Sequence, residues 1–117
     1  MPDKSILENC ITANTDGSGF AYRLRKSKDV HIEKGFFNLA DLENAIKDCH
    51  ITQSDDLMIH FRQATHGLTN KGNCHPFPIS KSFDDLQNTK IDTDIAVSHN
   101  GIFGNMPEDN NFSDTQK

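Results

Sequence analysis

Apolar positions along this chain switch between two periods, and the switches mark its elements. Ile6, Leu7, Cys10 and Ile11 recur at i, i+1, i+4 and i+5, one face of an amphipathic helix expected over residues 2–13. Pro2 suits its entry, and Asp3 or Ser5 can cap it. The turn formers Asn14-Thr15-Asp16-Gly17-Ser18-Gly19 end it. Apolar and polar residues alternate from Phe20 to Arg25, and a second strand reads from Val30 to Lys34, so a hairpin is expected, with His31 on its exposed phase. Helical spacing returns over residues 38–50, where Leu39, Leu42, Ala45, Ile46 and Cys49 form the stripe. Asn38 is placed to cap that helix, with Asp41 near its positive end. Cys10 and Cys49 read as small core residues on these two stripes.

Two further apolar runs, residues 57–61 and 92–98, read as buried strands. Each ends in a polar cluster, the first running on from His60 to Pro78 and the second into His99-Asn100-Gly101. Loops held by a rigid sheet carry function disproportionately, which makes these clusters the candidate site. The connection between the two runs is long, and its part from Ser80 to Lys90 is expected to be irregular.

Composition narrows the classes. With 117 residues, 34% of them apolar and none of them Trp, the chain is one domain with a thin core, either loop-rich or part of something larger. A net charge of −5 argues against a nucleic-acid surface, and the basic cluster from Arg23 to Lys28 reads as a solvated hairpin tip. No run approaches the roughly 18 apolar residues of a membrane span, and no signal peptide is evident. Three cysteines without CxxC spacing point to reduced thiols and a cytoplasmic location.

The polar clusters carry four motifs in order: Arg62-Gln63-Ala64-Thr65-His66-Gly67, Asn73-Cys74-His75-Pro76, His99-Asn100-Gly101 and Ser113-Asp114-Thr115. Together they resemble the class II glutamine amidotransferases, of the N-terminal-nucleophile hydrolase superfamily, and among these the small stand-alone bacterial and phage domains. The resemblance runs from about Pro2 to Thr115. It implies an α+β fold, a four-layer αββα sandwich of antiparallel sheets, and hydrolysis of the glutamine side-chain amide to glutamate and ammonia.

Residue by residue, the resemblance assigns Arg62 to the substrate α-carboxylate, which a planar guanidinium holds bidentately. Asp114 matches the residue that takes the α-ammonium. The Asn100 side-chain amide and the Gly101 backbone N–H match the oxyanion hole, where preorganised donors meet the charge of the tetrahedral intermediate. Thr65, His66 and His75 match pocket-lining positions. The Asp16-Gly17 turn has a counterpart beside the family's active site, although composition alone makes it a plain turn.

The family's nucleophile is a cysteine at the mature N-terminus, on a first strand. This sequence opens Met1-Pro2-Asp3, so that nucleophile is absent from it, and the chain is expected to be inactive as written. The expectation is a partial domain, cut at both ends, whose remaining strands lack a partner. Gln63 and Gln116 also depart from the commonest family pattern. No cofactor is implied. Glutamine is the expected small-molecule partner, and any ammonia acceptor would lie in missing segments or a synthetase partner.

Two alternatives stand beside this reading. A degenerate module could bind a glutamine-like amino acid through Arg62 and Asp114 without turnover. A metal could be held by His66, Cys74, His75 and His99, although adjacent Cys74-His75 is poor chelating geometry, and no metal is expected.

Overall fold

The computed structural model describes residues 2–25, 27–63 and 69–99. Helix α1 (Lys4–Ala13) leads into strands β1 (Ser18–Arg23) and β2 (Val30–Phe36), followed by helix α2 (Leu39–Asp48) and strand β3 (Asp56–Phe61). After a 3-10 turn at Lys71–Asn73 come β4 (Phe77–Pro78), helix α3 (Phe83–Gln87), β5 (Lys90–Thr93) and β6 (Ala96–Val97).

The four longer strands make an antiparallel sheet in the order β3-β1-β2-β5, and β4 pairs with β6 in a second, two-stranded sheet. Side chains alternate across a strand, and both phases of the larger sheet are covered. On one face Phe20 packs with Leu42 and Ile46 of α2, joined by Tyr22, Leu57, Ile59 and Phe61. On the other lie Ala21, Ile32, Lys34 and His60, all buried. There His60 stacks on His75, and Lys34 Nζ sits 4.0 Å from the centre of the Phe77 ring. The order of layers is therefore helices, four-stranded sheet, two-stranded sheet, with α3 against β4 and the 3-10 turn.

Local chemistry explains the clearest element. Asn38 accepts the Asp41 N–H at 2.9 Å and donates to the Asp41 carboxylate at 2.8 Å, so the expected cap of α2 is formed. Its whole expected stripe joins the core. These described residues make an α+β protein with antiparallel sheets, and no helix among them is long and apolar enough to cross a membrane.

Several sequence expectations need correction. Residues 92–98 are not one strand: β5 adds to the edge of the larger sheet, and after Asp94-Ile95 the chain crosses to pair with β4. The stretch 80–90 is not irregular either, since Ser82 caps α3 by accepting the Asp85 N–H. Among the described residues the run Leu57–Phe61 is a sheet edge rather than a buried strand, with Met58 37% exposed. Ile6 stands in solvent, because α1 buries only Leu7 fully against its neighbours. His31 is not on a solvent phase. It lies on the helix-covered face beside Tyr22 and Glu33.

Candidate functional site

Strand β3 runs out at Phe61 and hands Arg62 to the rim of the sheet. The Arg62 N–H donates to the Gly17 carbonyl at 2.7 Å, and the Arg62 carbonyl accepts the Asp16 N–H at 3.0 Å. These two bonds extend the β1–β3 ladder into the Asp16-Gly17 turn and fix where the arginine leaves the backbone. Arg62 is only 3% exposed. Burial removes competing water, so its charge acts over a longer range than at a surface.

The Asp16-Gly17 turn also shapes the wall opposite. Gly17 has φ +112, a conformation that side-chain-bearing residues avoid, and a Cβ there would collide with Cys74 Sγ. A Cβ on Gly19 would strike the His75 carbonyl in the same way. The glycines thus let the 74–75 segment lie directly on β1. That segment is held from its other side by Asn70, whose side chain accepts the Asn73 N–H at 2.9 Å. Asn73 is itself fully buried and accepts from Gln87 of α3 at 2.6 Å.

Two stacked histidines complete the arrangement. The rings of His60 and His75 are 4.1 Å apart and nearly parallel. His75 Nδ1 accepts the His99 backbone N–H at 3.1 Å, while His60 Nε2 lies 3.3 Å from the His99 carbonyl oxygen. One imidazole reads the N–H and the other the C=O of a single residue. That residue immediately precedes Asn100-Gly101.

The electrostatics follow from burial. His75 is pushed down to about 3 by desolvation, reinforced by the electrostatic influence of the neighbouring His60, Arg62, Lys34 and His99, so it stays neutral and its Nδ1 lone pair remains available to His99. Lys34, buried under Phe77 and donating to the Leu86 carbonyl, is pushed down to about 7 by desolvation. The Cys74 thiol is pushed up by burial, although the charges of Arg62 and Lys34 oppose that shift. Cys74 is fully enclosed and directs its sulfur towards the Asn70 and Asp16 carbonyls. It is held as a thiol and packs as a small core group.

Of the residues singled out in the sequence, Arg62 and His75 are brought to one face, together with Cys74. Thr65, His66, Asn100, Gly101 and Asp114 lie outside the described residues. Cys74 and His75, offered as metal ligands, are turned to separate partners. Sequence reading missed Lys34 and His60. The signal available was a charged or imidazole side chain on the phase of, or between, apolar strand residues, Lys34 two residues after Ile32 and His60 between Ile59 and Phe61.

No protein-family model matches this chain, and no solved structure does. A curated protein of Schizosaccharomyces pombe, described as a probable glutamine--fructose-6-phosphate aminotransferase [isomerizing], is 31% identical over 98 residues. The chain is similar to part of a glutamine-using aminotransferase. The match covers 80% of this chain but 13% of that protein, so the chain spans a small part of the length of the relative it matches. It supports the amidotransferase resemblance at the level of the family and nothing finer.

Proposed function

We propose that this chain carries the glutamine-recognising side of a class II amidotransferase-type site, built on an αββα sandwich. In this reading Arg62 grips the α-carboxylate of glutamine and Asp114 its α-ammonium. Asn100 and Gly101 stabilise the oxyanion formed when the side-chain amide is attacked, and Thr65 and His66 line the pocket. His75 is then a positioning residue: with His60 it holds His99, the residue that precedes Asn100-Gly101 in the sequence.

The observation that carries the proposal is the setting of Arg62. Its backbone is bonded on both sides to the Asp16-Gly17 turn, which fixes where the side chain leaves the strand end, and the residue is 3% exposed; this setting supports a carboxylate-holding role for its guanidinium. The chemistry also needs a nucleophile. Cys74 is buried and protonated, and Cys49 is pushed up to about 11 by burial, so neither is an activated thiolate.

Calorimetric titration with glutamine tests the reading. Saturable binding is expected, and Arg62→Lys, which keeps the charge but loses the planar fork, should weaken it by about tenfold or more. An amide ligand lacking the α-carboxylate should bind the parent and the variant equally weakly. No saturable binding, or equal affinity for glutamine in both proteins, overturns the proposal.

A further inference from the structure

Away from the Arg62 face, a second group of chemically active side chains gathers where α2 ends over the sheet. His31 and Glu33 are two apart on β2 and therefore point to the same face. Cys49 is the C-cap of α2 and comes down on them. His31 Nε2 lies 2.9 Å from Glu33 Oε2, and Cys49 Sγ donates to the same oxygen at 3.2 Å. One ligand atom from each of the three lies within 4.8 Å of the others. We infer that His31, Glu33 and Cys49 form a binding site for one zinc ion.

The donor set is nitrogen, oxygen and sulfur, which suits borderline-soft zinc rather than a hard, oxygen-seeking ion. Zinc sits about 2.0–2.3 Å from such donors. In a tetrahedron this spaces them by roughly 3.3–3.8 Å, so the His31–Glu33 and Cys49–Glu33 pairs need open by only a few tenths of an ångström, and the third pair already lies within 4.8 Å. Three protein donors leave a fourth position for water.

A separate observation points the same way. The other imidazole nitrogen of His31, Nδ1, pairs with the Asp92 carboxylate, and Asp92 is directly opposite His31 in the β2–β5 register. A carboxylate behind a histidine turns the far nitrogen towards a metal and raises its basicity. The Tyr22 ring meets the His31 ring edge-on at 5.2 Å, which further restricts its rotation. The side chains of His31 and Glu33 are 20% and 15% exposed, sheltered yet reachable from solvent.

Charge balance closes. Glu33 and Asp92 bring two negative charges, a Cys49 thiolate a third, and Lys90, opposite Glu33 in the register, one positive charge. A dication neutralises the remainder, and the negative end of α2 favours it there. Binding exchanges the thiol proton for the metal: the S–H bond breaks, a sulfur–zinc bond forms, and the proton leaves to solvent.

The test uses the metal-stripped, tag-free chain, titrated with zinc against a chromophoric chelator and separately with cobalt(II). One equivalent should bind, and the cobalt form should show a thiolate-to-metal charge-transfer band. Cys49→Ser should abolish that band, and His31→Gln should weaken zinc binding by about a hundredfold. Asp92→Asn, at an exposed side chain, should keep the band and lower affinity by about ten- to a hundredfold. Cys10→Ser should change neither. A missing band, a band that survives Cys49→Ser or is lost in Cys74→Ser instead, or unchanged affinity in Asp92→Asn overturns the site. The last variant serves even if Cys49→Ser does not fold.

Discussion

His75 accepts the backbone N–H of His99 across 24 residues of sequence, at 3.1 Å and through a ring that is only 4% exposed. The bond ties the 74–78 segment to the end of β6, and it needs His75 neutral at Nδ1.

This dependence sets a pH window. His75 titrates at about 3 when folded and at about 6.5 when unfolded, so between those values the unfolded chain holds the extra proton. Stability from this group is present above pH 6.5 and is lost as pH falls towards 3. In urea melts, the stability difference between parent and His75→Asn should shrink steadily across that window. The asparagine of that variant can still offer an amide oxygen to His99, so at pH 7 the loss should stay at about 1–3 kcal/mol. A difference independent of pH would show that His75 is not kept neutral by the fold.

Lys34 works in a different range. Its folded value of about 7 lies below its unfolded 10.5, so between the two the unfolded state again binds more protons. Stability should therefore climb as pH rises from about 7 to 10.5. Lys34→Met removes a charge that is costly to bury and should lose this slope. Relative to the parent, the variant should look better at pH 6 than at pH 9. Parallel curves for the two proteins would contradict a desolvated Lys34.

Gly17 carries two constraints that a double mutant can separate. Gly17→Ala meets both the unfavourable φ of +112 and the Cys74 sulfur, and should cost about 2–4 kcal/mol. Adding Cys74→Ala relieves the collision but not the backbone. The cycle should show a favourable coupling of about 1–3 kcal/mol. Simple additivity would mean that backbone conformation alone makes glycine necessary there.

The cap of α2 offers a local control. Asn38→Ala should cost about 0.5–2 kcal/mol in thermal or urea melts, whereas Asn38→Gly should cost only a few tenths. Equal losses in the two variants would point to packing rather than capping.

How much of this is legible in the sequence depends on the range of the interactions concerned. Helix α2 can be read directly, because its cap and its apolar stripe are settled within four residues at a time. The four motifs are legible as residues, and so is the expectation that Arg62 stands at a strand end. Helix α3 could have been found from Ser82 and Asp85, the same kind of capping signal, but a single turn of helix has little stripe to confirm it.

Only the tertiary structure decided the rest. Alternation puts His31 in solvent only if one face of the sheet is bare; here both faces are covered, so the polar phase is half-buried. Residues 92–98 read as one strand, yet a crossing between sheets is dictated by which edges are free to accept them. The partnership of His60 and His75 around His99 joins three segments that nothing in the local sequence connects. Hydrogen bonds closed over three or four residues are written in the order of the chain. Burial is not, because it depends on which distant surfaces exclude water together.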